Sequence, residues 1–101
     1  MEVIEMLIEL DGKHIKSAAD LHRTLAEVMD FGPFYSPNLA ALWDRLSADI
    51  ERPVVLVWKD SESSRRSMGE SEFEKLHSLL LRVEAQDASF GWTERFVVRF
   101  E

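Results

Sequence analysis

Six consecutive residues near the middle of the chain, Pro53 to Trp58, form a continuous apolar run that is rich in valine. A run so short, bounded by polar residues, predicts a β-strand. Because it lacks the alternation of a strand with one wet face, we expect it to be buried on both faces, as strands of parallel sheets are. Parallel strands need crossover connections, so this run requires helices elsewhere in the chain.

The flanking segments supply those helices and two further strands. Glu2 to Leu10 predicts a strand that ends at the turn Asp11-Gly12. Ser17 predicts the N-cap of an amphipathic helix from Ser17 to Met29, with Asp20 in the capping-box position. The later elements are a helix from Leu39 to about Asp49 capped by Asn38, a polar loop with room for one helical turn from Lys59 to Gly69, a helix from Ser71 to about Gln86 opened by a Ser71–Glu74 capping box, and a strand from Trp92 to Phe100.

The order of these elements predicts the fold class. Strand, helix, helix, strand, helix and strand follow one another, which favours a small α/β fold. We expect a three-stranded parallel sheet packed by three to four helices. With 101 residues and no linker or repeat, the chain fits a single domain over 1–101.

Composition narrows the classes of partner. The chain has 19 acidic and 12 basic residues, a formal net charge of −7, which disfavours direct nucleic-acid binding and favours basic partners. It has no cysteine, no apolar stretch long enough to span a membrane, and no basic, cleavable start at Met1. These features favour a cytoplasmic protein that does not contact membranes.

Residue patterns for catalysis are missing. The histidines His14, His22 and His77 do not accompany a nucleophile motif, and both helical ones fit surface or half-buried positions. The four glycines are scattered and no acid or histidine cluster has metal-ligand spacing, so we expect no cofactor and no metal. An enzyme is the least favoured hypothesis, with Asp44 and Glu51, two turns apart on one predicted helix face, as its acid–base candidates.

The segment Phe34 to Leu46 is the most informative one for function. Two aromatic residues on a loop precede an N-capped helix that carries Trp43 and Asp44. Tyrosine and tryptophan anchor interfaces because they supply contact area with little conformational freedom to lose. Taken alone, Trp43 fits the core better than an interface because it lies beside the apolar stripe, and Asp44 fits a solvated surface acid.

Together, these residues resemble the barstar family of intracellular inhibitors of bacterial ribonucleases. Tyr35, Asn38-Leu39 and above all Ala41-Leu42-Trp43-Asp44 carry the resemblance. Ser17 to Leu25 is similar to the family's first helix, and Pro53 to Trp58 to its second strand, with Glu51 two residues earlier. The resemblance covers most of residues 8 to 100 and implies a barstar-like fold.

The resemblance also implies a mode of action, in which the helix and the loop before it plug a ribonuclease active site. Asp44 would occupy the phosphate-binding pocket, Asn38 would cap the helix and touch the partner, and Tyr35 would pack on a partner histidine. Trp43 would buttress the helix and reach the rim. The expected partner-binding residues are Phe34, Tyr35, Ser36, Asn38, Leu39, Trp43, Asp44, Ser47 and Glu51.

The sequence departs from the family's best-known inhibitor both within this set and beside it. That inhibitor carries a tyrosine at the position of Phe34, a glycine at that of Ser36, an acid at that of Ala40 and a tryptophan at that of Asp49. An acid on its last helix has Arg82 as the nearest counterpart here, with Glu84 a poorer fit. The expected partner is therefore a basic bacterial ribonuclease or ribonuclease toxin domain other than that inhibitor's target, in self-protection or toxin immunity. The alternative is an interaction module or immunity protein of the same fold with a non-ribonuclease partner.

Overall fold

A central three-stranded parallel sheet organises the protein. The computed structural model describes residues 5–101, and the strands are β1 (Met6–Asp11), β2 (Val54–Lys59) and β3 (Phe96–Phe100), in the order β1-β2-β3. Both pairings are parallel, as predicted. The part of the first predicted strand before residue 5 lies outside the described residues. The last strand begins at Phe96, not at Trp92 as predicted, because residues 92–95 form a loop.

Four α-helices join the strands, which confirms the predicted α/β class. They are α1 (Ala18–Val28), α2 (Leu39–Asp44), α3 (Ser61–Met68) and α4 (Glu70–Ser89). The chain continues from α2 into one π-helical turn, Arg45–Asp49. None of the helices within residues 5–101 is long and apolar enough to cross a membrane.

The hydrophobic core lies on one face of the sheet. Ile8, Leu56 and Val98 share a row on that face and are buried with the apolar sides of the helices. The next row, on the opposite face, includes Leu7, whose side chain is 57% exposed. The prediction that β2 is buried on both faces holds in part, since on this open face Val57 is buried and Val55 is half-buried. Val57 lies on the central strand, between β1 and β3, and the Glu9–Lys59 ion pair joins residues of the same face.

Two of the three predicted helix caps are present. Ser17 Oγ accepts a hydrogen bond of 3.1 Å from the Asp20 N–H, and Asn38 Oδ1 accepts one of 2.8 Å from the Ala41 N–H. The capping box at Ser71 is wrong. Helix α4 begins one residue earlier, after Gly69, whose φ of +95° suits glycine, and Ser71 lies inside the helix.

The segment predicted as a loop, Lys59 to Gly69, contains the eight-residue helix α3. Its buried residue is polar, which is why no apolar stripe marks it in the sequence. Ser64 Oγ accepts a hydrogen bond of 3.0 Å from Trp58 Nε1 and donates one of 2.9 Å to the Gly12 carbonyl. The Ser61 N–H also donates to the Glu101 carbonyl at 2.8 Å, so α3 is held at the carboxyl end of the sheet.

A buried ion pair fixes the chain where it enters β2. The Arg52 guanidinium donates to both carboxylate oxygens of Asp87 at 2.9 and 3.1 Å, and to the Ile50 carbonyl at 2.9 Å. Asp87 is fully buried and also accepts a hydrogen bond of 2.7 Å from the Phe96 N–H. This network joins the segment after α2 to α4 and β3, and so determines where Glu51 lies.

Candidate functional site

The loop before α2 presents its aromatic residues in two different ways. Phe34 is 90% exposed, whereas Tyr35 is half-buried and packs on Phe31 with ring centroids 4.8 Å apart. The Tyr35 hydroxyl lies 2.6 Å from Nδ1 of His22, a hydrogen-bond distance. Because of these contacts, Tyr35 is a fixed part of the surface, while Phe34 is free to pack on another molecule.

The histidine that holds Tyr35 is buried in α1, at 5% exposure. The expectation of a surface or half-buried position is wrong for His22, because the helix turns it toward the loop. Burial lowers the pKa of His22 and raises the pKa of Tyr35 to about 12. Both groups are therefore neutral near pH 7, and they form a neutral hydrogen bond.

Asn38 joins the loop to the helix. Besides capping α2 through its side chain, it donates its N–H to the Ser36 carbonyl at 2.8 Å, and its own carbonyl accepts from the Leu42 N–H at 3.0 Å. Leu42 is fully buried and anchors α2 in the core. The loop and the first turn of α2 are thus held in one arrangement by backbone contacts.

Asp44 projects from the last turn of α2 into solvent. Within residues 5–101 its carboxylate makes neither a hydrogen bond nor an ion pair. It borders a shallow depression, and the residues around this depression are Phe34, Tyr35, Ser36, Ala41, Asp44, Arg45 and Asp49. The fold therefore brings four of the nine predicted residues to one small surface, which has an unpaired carboxylate at its edge.

The π-helical turn changes the predicted face of the second helix. Because a π turn takes more than 3.6 residues, Ser47 and Glu51 do not continue the row of Ala40 and Asp44. Ser47 is half-buried, and Glu51 lies beyond the helix, after Ile50 in extended conformation. The expected alignment of Asp44 and Glu51 on one helix face is wrong for that reason. Glu51 borders a second depression with Arg52, Trp92, Thr93 and Glu94.

The sequence left open whether Trp43 belongs to the core or to an interface, and in the structure it has contacts of both kinds. It is half-buried and packs against the core, and it also borders a groove of about 940 Å³ between α2 and α4. Leu39, 38% exposed, is on the same groove. The Arg82 guanidinium lies 5.0 Å from the centre of the Trp43 ring, so a cation covers part of the tryptophan.

Glu84 and His77, both on α4, are engaged within the protein. Glu84 accepts a hydrogen bond of 2.9 Å from the Val98 N–H, so its carboxylate is directed toward β3. The His77 ring packs on Phe100 at 4.2 Å. In the part of the chain that the structure describes, no three His, Asp or Glu side chains lie together as ligands for a metal ion.

Sequence reasoning missed His22 as part of this surface, and it named Arg82 without anticipating its contact with Trp43. The pair His22–Tyr35 spans 13 residues, and nothing local in the sequence marks it. The amphipathic pattern of α1 gave the only usable signal, since His22 directly follows the buried Leu21 on the inner side of that helix.

Comparison with known proteins agrees with this architecture. The family model for barstar, the barnase inhibitor, matches residues 5–99. The chain is also similar to a protein of Bacillus subtilis (strain 168) named "Putative ribonuclease inhibitor YrdF". The two are 37% identical over 62 residues, which is 61% of this chain and 68% of that protein. The resemblance inferred from the Tyr35-to-Asp44 segment is confirmed, and the chain belongs to the barstar family.

Proposed function

We propose that this protein inhibits a ribonuclease by inserting the 34–44 loop and helix into the enzyme's active site, where the Asp44 carboxylate takes the place of a substrate phosphate. The proposed contact residues are the nine predicted from the sequence, with Asp44 at the centre. The observation that carries the proposal is the exposed carboxylate of Asp44, which has no hydrogen-bond or ion-pair partner among residues 5–101, beside the depression formed with Phe34 and Tyr35. Membership of the barstar family supports the same role.

The chemistry of this surface suits a cationic cleft. A carboxylate that has no partner in its own protein accepts charge-assisted hydrogen bonds from arginine, lysine or histidine, the groups that bind RNA phosphates. Because Asn38 and the His22–Tyr35 contact already fix the loop, little conformational entropy is lost on binding. The net charge of −7 attracts a basic enzyme and accelerates encounter.

The protein acts by binding and not by catalysis, and it protects the cell that makes it from a secreted ribonuclease or from a ribonuclease toxin domain. Its place of action is then the cytoplasm. Absence of cysteine suits that reducing compartment.

The test is a titration into a basic, guanyl-preferring microbial ribonuclease, with RNA cleavage as the readout. We expect stoichiometric inhibition by the wild type. Asp44→Ala should weaken binding by at least about 30-fold, the effect of a hot-spot residue, mostly through faster dissociation. Glu27→Ala is the matched control, since it removes one exposed carboxylate that borders none of the depressions described above.

Thermal melts distinguish a binding role from a structural one. Because Asp44 has no partner within the described residues, Asp44→Ala should leave stability nearly unchanged, within about 0.5 kcal/mol. Strong destabilisation would make Asp44 a structural residue and refute the site assignment. Equal inhibition by wild type and Asp44→Ala would refute the mechanism.

A specific feature favours a second candidate, an interaction module or immunity protein with a non-ribonuclease partner. The groove between α2 and α4 has the Ala40 methyl group and the Arg82 guanidinium at the two positions where the best-known inhibitor of the family carries acids, although Asp44, Glu70 and Glu74 also border it. Affinity capture from the source organism, with Asp44→Ala as control, tests this alternative. Capture of a non-nuclease that depends on Arg82 but not on Asp44 would support it.

A further inference from the structure

Two aromatic side chains lie exposed on the loop between α4 and β3. Phe90 is 56% exposed and Trp92 is 43% exposed, and their ring centroids are 5.0 Å apart. The core does not need them, since neither belongs to the buried cluster. We call Phe90 and Trp92 the aromatic pair. Aromatic residues are enriched at protein–protein interfaces relative to the rest of the protein surface, so an exposed aromatic pair indicates a contact surface.

The loop that carries the aromatic pair is held in place. Gly91 adopts a φ of +70° and donates its N–H to the Ala88 carbonyl at 3.0 Å. Arg95 Nε donates to the Trp92 carbonyl. The Arg52 guanidinium, itself fixed by Asp87, lies 5.8 Å from the centre of the Trp92 ring. Because the loop is already ordered, a partner that binds it loses little entropy.

The charge around Trp92 is negative. Glu51 and Glu94 border the depression beside it, and within residues 5–101 neither carboxylate makes an ion pair. Of the two cations described beside Trp92, Arg52 is neutralised by the buried Asp87, and Arg95 donates through Nε to the Trp92 carbonyl. An aromatic face between two free carboxylates suits an arginine or lysine side chain, which gains both cation–π and ionic contacts.

This depression continues the proposed inhibitory surface. Asp49 borders the depression of Phe34 and Asp44, whereas Glu51 borders that of Trp92. Only Ile50 separates them along the chain, so their Cα atoms are at most about 7 Å apart. The two depressions therefore adjoin at residues 49–51, and an interface of ordinary size is large enough to cover both.

We infer that the aromatic pair is a second anchor for the basic protein that binds at Asp44, with an arginine or lysine of that partner seated on Trp92 between Glu51 and Glu94. This inference rests on the proposed function for the identity of the partner. The occupant is the same molecule, because the two depressions adjoin at residues 49–51 and each has a carboxylate without an ion pair within residues 5–101, Asp44 on one and Glu51 on the other. A second copy of this acidic chain is the competing occupant.

The experiment compares dissociation constants for the ribonuclease of the inhibition assay. Trp92→Ala should weaken binding about tenfold, and the double variant Glu51→Gln/Glu94→Gln should do the same while reducing the salt dependence. Leu7→Ala, which truncates an exposed apolar residue on the open face of the sheet, should change binding less than about twofold. Sedimentation of wild type and Trp92→Ala reports self-association in parallel.

The outcomes separate this inference from the proposed function. Binding that is lost in Asp44→Ala but unchanged in Trp92→Ala and in the double glutamate variant overturns the second anchor alone. Self-association that Trp92→Ala abolishes, with ribonuclease binding unchanged, also overturns it and assigns the pair to a dimer contact. Failure of the wild type to inhibit any such ribonuclease overturns the proposed function and this inference with it. The double glutamate variant decides the matter if Trp92→Ala does not fold.

Discussion

The hydrogen bond between His22 and Tyr35 connects the core of α1 to the loop of the candidate site, and its contribution to stability is measurable. The two atoms are 2.6 Å apart, His22 is 5% exposed, and Tyr35 is half-buried. The perturbations are Tyr35→Phe, which removes only the hydroxyl, and His22→Leu, which replaces the ring by an apolar side chain. The double variant completes a cycle.

The expected loss of stability depends on which of the two groups stays buried without a hydrogen-bond partner. Tyr35→Phe leaves a buried ring nitrogen without a partner, so we expect a loss of about 1–3 kcal/mol in the free energy of unfolding. His22→Leu leaves a hydroxyl on a half-buried residue that can turn toward water, so the loss lies near 1 kcal/mol. The double variant leaves no orphaned group and should be more stable than the sum of the single effects by about 1 kcal/mol.

Urea unfolding followed by tryptophan fluorescence measures these differences. In a domain of this size, about 1 kcal/mol corresponds to a shift in Tm of about 4–8 °C, so thermal melts give an independent check. Single effects that add within about 0.3 kcal/mol would show that the two groups do not interact in solution, and would refute the claim that His22 holds the loop.

Three further predictions concern the core and pH. Asp87→Ala should destabilise by about 3–5 kcal/mol, because Arg52 is left buried without its counter-charge, and near-wild-type urea unfolding would contradict this. Leu42→Ala should lower the free energy of unfolding by about 2–5 kcal/mol through a cavity under α2, and a loss below about 1 kcal/mol in the same assay would contradict it. Because burial lowers the pKa of His22, the unfolded state binds more protons than the folded state below about pH 6.5, and stability should fall as the pH drops through that value. This fall should be smaller in His22→Leu. If the free energy of unfolding depends equally on pH in the two proteins, His22 is not buried as described.

The fold was predictable where each element carries its own local signal. The valine-rich run gave β2, Ser17 and Asn38 gave the helix starts, and the order of elements gave a parallel sheet. Helix α3 was missed because its inner residue, Ser64, is buried through hydrogen bonds and not through apolar contact. Periodicity reports only apolar burial.

Long-range contacts explain the other errors. The burial of β2 on its second face is only partly as predicted, with Val57 buried and Val55 half-buried, because the core covers only the other face and this one is shielded by the neighbouring strands. The last strand was predicted from Trp92, but β3 begins only at Phe96, where the backbone N–H donates to the buried Asp87 carboxylate. Neither feature has a signature within a window of a few residues.

The candidate site was predictable in part. Phe34, Tyr35, Ser36 and Asp44 share one surface because a loop and the helix that follows it directly lie next to each other in space. Ser47 and Glu51 were misplaced because the π-helical turn after Asp44 leaves no mark in the sequence. The support from His22 depends on how α1 packs, which only the three-dimensional arrangement specifies.

The central claim, that Asp44 occupies the phosphate site of a ribonuclease, is tested most directly by competition. The measurement is calorimetric titration of this protein into the ribonuclease at increasing concentrations of guanosine 3′-monophosphate, which fills that site. We predict that the apparent Kd rises in proportion to the nucleotide concentration, because carboxylate and phosphate exclude one another. An unchanged Kd, with protein and nucleotide bound together, would contradict the account.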